Sequence, residues 1–62
     1  MNQRGMMRHL ISKYGRNPDV VCREYAKAEQ RGDVERKSDK YGISPEGYAR
    51  ALWKDGERKG WF

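Results

Sequence analysis

Cysteine, histidine and long apolar runs are all scarce in this chain, and each scarcity excludes something. A single cysteine, Cys22, rules out an intramolecular disulfide. That suits a reducing compartment, and a cytoplasmic location is expected. His9 is the only histidine. Neither a cysteine pair nor a carboxylate cluster offers metal-ligand spacing, so no metal or other cofactor is expected. Ser12, Ser38 and Ser44 have no base near them in sequence, and Gly56-Glu57-Arg58-Lys59-Gly60 does not fit a phosphate-binding loop. The chain is not expected to be an enzyme. The longest apolar runs of the N-terminal third are Met6-Met7 and Leu10-Ile11, far short of a signal peptide or a membrane span. Opening with Met1 and bearing no tag, the sequence is expected to be a complete short reading frame.

What is present is charge. Of 62 residues, 37% are charged and 35% hydrophobic, with a net charge of +5. That balance leans toward disorder. Against it stand seven large aromatics: Tyr14, Tyr25, Tyr41, Tyr48, Trp53, Trp61 and Phe62. Each can bury roughly 150–250 Å², enough together to sustain a thin core. One small domain covering residues 1–62 is expected, and folding only on a partner or as a homodimer is the alternative.

The pattern predicts an all-α fold. Met6, Met7, Leu10, Ile11 and Tyr14 share one face of a helix over residues 4–14, and Gly15 stops it. Asn17-Pro18 pairs an N-cap with a proline at the first helical position, opening a second helix to Arg31 before Gly32. Ser44-Pro45 repeats that signal for a third helix to Lys59, stopped by Gly60, with Gly56 expected to fray its last turn.

A shift of 27 residues aligns Lys13-Tyr14-Gly15 with Lys40-Tyr41-Gly42, Pro18 with Pro45, Arg23 with Arg50, Lys27 with Lys54 and Arg31 with Arg58. These seven identities over 23 pairs suggest an internal 27-residue duplication; chance matching of common residues is the competing explanation. A real duplication predicts a fourth helix over Val34–Tyr41, capped by Asp33, and equivalent core-facing places for Tyr14 and Tyr41. Three or four short helices would then form helical hairpins with three-residue turns, as in helix-turn-helix proteins. A three-helix domain with an extended 32–44 segment is the alternative. A minimal wing of Val34 with Trp61-Phe62 is weaker.

The charges suggest a function. Arg23, Lys27 and Arg31 form one row at spacing four, and Arg50, Lys54 and Arg58 form another. Either could follow a phosphate backbone, or be an ordinary solvated face partly neutralised by Glu24, Glu29, Asp55 and Glu57. Residues 1–16 hold Arg4, Arg8, Lys13 and Arg16 and no acid, so the net positive field lies in the N-terminal third. The leading expectation is a small, basic, helix-turn-helix-like nucleic-acid-binding module, with DNA ahead of RNA. Arg4, Arg8 and Lys13 would serve phosphates, and Arg16, Lys27, Lys54 and Arg58 count among the nucleic-acid-binding residues. Ser44, Gly47 and Arg50, or Asn17, Val20 and Arg23, would meet base edges. The alternative is a protein-interaction module in which Trp53, half exposed instead of in the core as the leading reading has it, forms a charge-rimmed hot spot with neighbouring Tyr48. Membrane-surface attachment through the first helix ranks third, and a membrane is not the expected partner.

Overall fold

The computed structural model describes residues 2–62. Helix α1 spans Gln3–Tyr14, α2 Pro18–Arg31, α3 Ser38–Tyr41 and α4 Pro45–Lys59, and no strand occurs among the described residues. The Asx/Ser-Pro starts act as expected. Asp19 N donates to Asn17 Oδ1 at 3.1 Å, and Gly47 N donates to Ser44 Oγ at 3.1 Å. Pro18 and Pro45 each sit in the first turn, where the missing N–H costs nothing. Gly32, Gly42 and Gly60 end their helices in the left-handed region, which glycine enters without a Cβ penalty.

The core forms where the three longer helices meet. Met6, Met7 and Leu10 of α1, Val21, Cys22, Tyr25 and Ala28 of α2, and Ala49, Leu52 and Trp53 of α4 are buried together, with Val34 from the connecting segment. The apolar positions recur at helical spacing on each element, so each presents one stripe inward. Helix α2 packs against both α1 and α4.

Residues 32–41 depart from the expected fourth helix. The helix begins at Ser38 rather than Val34, and its preceding residue is Lys37, which makes no side-chain cap bond. Asp33 is ion-paired with Arg31 at 3.1 Å. The reason lies in α2. Glu29 falls one turn beyond Tyr25 on the inward face and is fully buried. Its Oε1 accepts from Ser38 N at 3.1 Å and from the Ser38 hydroxyl, while Arg36 Nε donates to the Glu29 carbonyl at 2.9 Å. These bonds and the burial of Val34 hold the segment in place, and only one helical turn is left.

Tyr14 and Tyr41 do end their helices, but neither faces the core: they are 40% and 62% exposed. The inward places of α1 are filled by Met6, Met7 and Leu10, and α3 is too short to bring Tyr41 over the core. The two turns also differ, because Gly15 leaves α1 with ψ −178 whereas Gly42 leaves α3 with ψ 26.

Gly56 does not fray α4. The helix continues to Lys59, and Gly56 is buried. After Gly60 the chain doubles back, and Trp61 N donates to Gly56 O at 2.9 Å. A Cβ at Gly56 would lie 2.8 Å from Phe62 Cε1 and 2.9 Å from Trp61 Cε3. Gly56 thus makes room for Trp61 and Phe62 to pack on α4, with Phe62 4.7 Å from the Trp53 ring. This short return takes the place of the wing.

Candidate nucleic-acid interface

All ten residues singled out for nucleic acid are exposed: Arg4, Arg8 and Lys13 on α1, Arg16 in the turn, Arg23 and Lys27 on α2, Ser44 before α4, and Arg50, Lys54 and Arg58 on α4. Their partners sort them into two groups. Arg50 donates to Asp19 across the α2–α4 groove at 3.1 Å and to Glu46 at 3.2 Å. Those two carboxylates, Asp19 first, raise its pKa further above the ordinary value. Lys27 pairs with Glu24 at 3.5 Å. Arg58 and Lys59 both pair with Asp55, whose carboxyl is held below its ordinary range by Lys59 and then Arg58. Ser44 Oγ is occupied as the cap of α4. By contrast, Arg4, Arg8, Lys13, Arg16, Arg23 and Lys54 have no ion pair among the described residues. Lys13 instead lies over the Tyr14 ring at 5.3 Å.

Helix geometry then divides the α1 cations. Residues advance about 100° around a helix, so Arg4 and Arg8 are neighbours on one flank, whereas Lys13 lies about 180° from Arg4. Lys13 lines the α1–α2 groove with His9, Glu24 and Arg31. Arg4 and Arg8 therefore share a flank of α1 that Lys13 does not.

Glu29 and Trp53 both lie inside the fold. Glu29 was expected to neutralise a basic row, but it is buried and bonded to Ser38. Trp53, counted among the core aromatics and half exposed only in the protein-interaction alternative, is 8% exposed, with the Phe62 ring of the returning C-terminus 4.7 Å from its own. The α2–α4 interface needs a large side chain at that point, so Trp53 is a core residue. The aromatic surface lies elsewhere. Tyr41 stacks on Tyr48 with ring centroids 6.4 Å apart and planes 20° apart. The Tyr48 hydroxyl accepts from Gln3 Nε2 of α1. Sequence periodicity alone gave no sign of this pair, because the two tyrosines belong to different helices.

Cys22 is fully buried, and burial pushes its thiol up. Among the described residues no group of three or more His, Cys, Asp or Glu side chains could hold a metal ion, and no helix is long and apolar enough to cross a membrane. No family model, curated protein or solved structure matches this chain.

Proposed function

We propose that this protein is a nucleic-acid-binding module, with DNA as its expected ligand. The observation that carries this reading is the set of unopposed cations in residues 1–16: four basic side chains, no acid, and no ion pair to any of the four among the described residues. Unpaired surface cations keep their full attraction for phosphate, whereas a residue such as Arg50 must first give up its carboxylates. The first helical hairpin is therefore the better docking element. Arg4 and Arg8 serve the backbone, Arg16 lies in the turn, and Arg23 on α2 is the free candidate for a base edge. In a helix-turn-helix arrangement the second helix of the hairpin enters the major groove.

Replacing Arg4 and Arg8 together by Ala tests this. Affinity for duplexes of different sequence is expected to fall alike. The slope of log affinity against log salt should flatten by about 1.8, since each released phosphate contact contributes about 0.9. Arg23→Ala is expected to alter preference among sequences, because an arginine–guanine contact discriminates by about 1–3 kcal/mol. Gel shifts or anisotropy titrations showing no binding to duplex or single strands at about 50 mM salt would refute the nucleic-acid reading.

A further inference from the structure

We infer that the Tyr41–Tyr48 pair is a stacking platform for an unpaired nucleobase, so that the nucleic acid this chain takes includes a single-stranded segment. The inference rests on the nucleic-acid reading and names the place where a base, rather than a phosphate, is held.

Three observations converge on the platform. First, Tyr41 is 62% exposed in a chain that has few large side chains to bury, and Ile43, two residues on, is 44% exposed. Burial of a tyrosine would add to a thin core, yet the fold leaves this ring in water. Second, the ring is not adrift. Its ring lies beside that of Tyr48, centroids 6.4 Å apart and near parallel at 20°, and Tyr48 is itself half-buried and held through its hydroxyl by Gln3. Tyr41 thus has a parallel aromatic neighbour that is already ordered, which lowers the entropy lost when a flat ligand stacks on the pair. Third, Gln3 opens the first turn of α1, a helix with no acid, so its bond to Tyr48 joins the platform to the basic N-terminal element. Lys40 precedes Tyr41 and has no ion pair among the described residues. Lys37 is paired with Glu35 at 3.4 Å, and Glu46 with Arg50, so these acids are already engaged; Asp39 is the remaining nearby carboxylate.

Aromatic faces beside cations suit a single strand, because every base has a π face and every link a phosphate. A duplex offers no such face along its length, since its bases are stacked on one another. A protein partner would meet the same aromatic pair, but the free Arg4 and Lys40 favour an anionic chain. The bond from Gln3 ties the platform to the helix that carries Arg4 and Arg8, which lie about 100° and 140° around α1 from Gln3.

The experiment is an anisotropy titration of the full chain with labelled oligothymidine of about twelve nucleotides and with a duplex of the same length. Wild type is compared with Tyr41→Ala, Tyr41→Phe and the double Arg4→Ala/Arg8→Ala variant. Tyr41→Ala is expected to weaken oligothymidine binding about fivefold or more while leaving duplex binding unchanged. Tyr41→Phe should retain wild-type affinity, because the ring and not the hydroxyl does the stacking. The exposed position keeps the fold intact, checked by matching circular dichroism melts. If oligothymidine binds and responds to the arginine substitutions but not to Tyr41→Ala, the platform is refuted and the nucleic-acid reading stands. If neither oligonucleotide binds, both fall together. If Tyr41→Ala abolishes self-association of the chain and leaves oligothymidine binding unchanged, the patch is a protein contact and the platform is refuted.

Discussion

Trp53→Ala is expected to leave too little folded protein for any binding assay. Truncating a buried tryptophan costs about 3–5 kcal/mol. A single core in a chain of this size rarely supplies more than about 3–5 kcal/mol in total, so the two quantities are of the same order. The indole is 8% exposed and the Phe62 ring lies 4.7 Å from it, so truncation removes a packed core side chain together with the support of the C-terminal return. A urea titration followed by far-UV circular dichroism should show the variant largely unfolded at zero denaturant. A cooperative transition weakened by less than about 1 kcal/mol would place Trp53 outside the core. Loss of partner binding in this variant would say nothing about an interface, whereas the same loss in Tyr41→Ala would.

Raising the pH above about 9 is expected to unfold the chain, and Tyr25→Phe to delay it. Burial pushes the Cys22 thiol above its ordinary 9.0 and the Tyr25 and Tyr48 hydroxyls above their ordinary 10.0, most strongly for Tyr25. In all three the folded state holds its proton more tightly than the unfolded state does. Their contribution is fully present below the unfolded values and is lost as pH rises from there toward the folded ones, so stability falls from about pH 9 upward and more steeply above 10. Tyr25 Oη is buried with no hydrogen-bond partner among the described residues, so its removal costs no bond. Tyr25→Phe should match or exceed wild type at neutral pH, by about 1 kcal/mol at most, and move the alkaline midpoint upward. A pH titration by circular dichroism measures both, and a variant that unfolds earlier than wild type would contradict the assignment.

Three helices were legible in the sequence because local chemistry and periodicity agree at their ends: Asn17-Pro18, Ser44-Pro45 and the glycine stops act over a few residues each. Residues 32–41 were not legible, since their conformation depends on Glu29 reaching Ser38 across nine positions, and a glutamate on an apolar face looks like any surface acid. Gly56 reads as a helix weakness by propensity, and only the returning Trp61 and Phe62 give it a purpose. The exposed basic rows were legible as rows. Which cations are free was not, because Arg50 is matched to Asp19 on another helix. The position of the aromatic surface, at Tyr41–Tyr48 rather than Trp53, depends on the packing of α1 and α3 around α4.

Helix α1 is poorly made on its own terms. Its first turn holds Arg4 and no acid, against the sign its dipole prefers; Arg4 and Arg8 repel at a spacing of four; and Gly5 lies within it. It stays helical because Met6, Met7 and Leu10 close the core. A polyanion seated on Arg4 and Arg8 would relieve the first two faults while leaving the core contacts in place. Occupancy and folding therefore draw on the same helix, and ligand should raise the melting temperature and slow amide exchange in α1 before anywhere else.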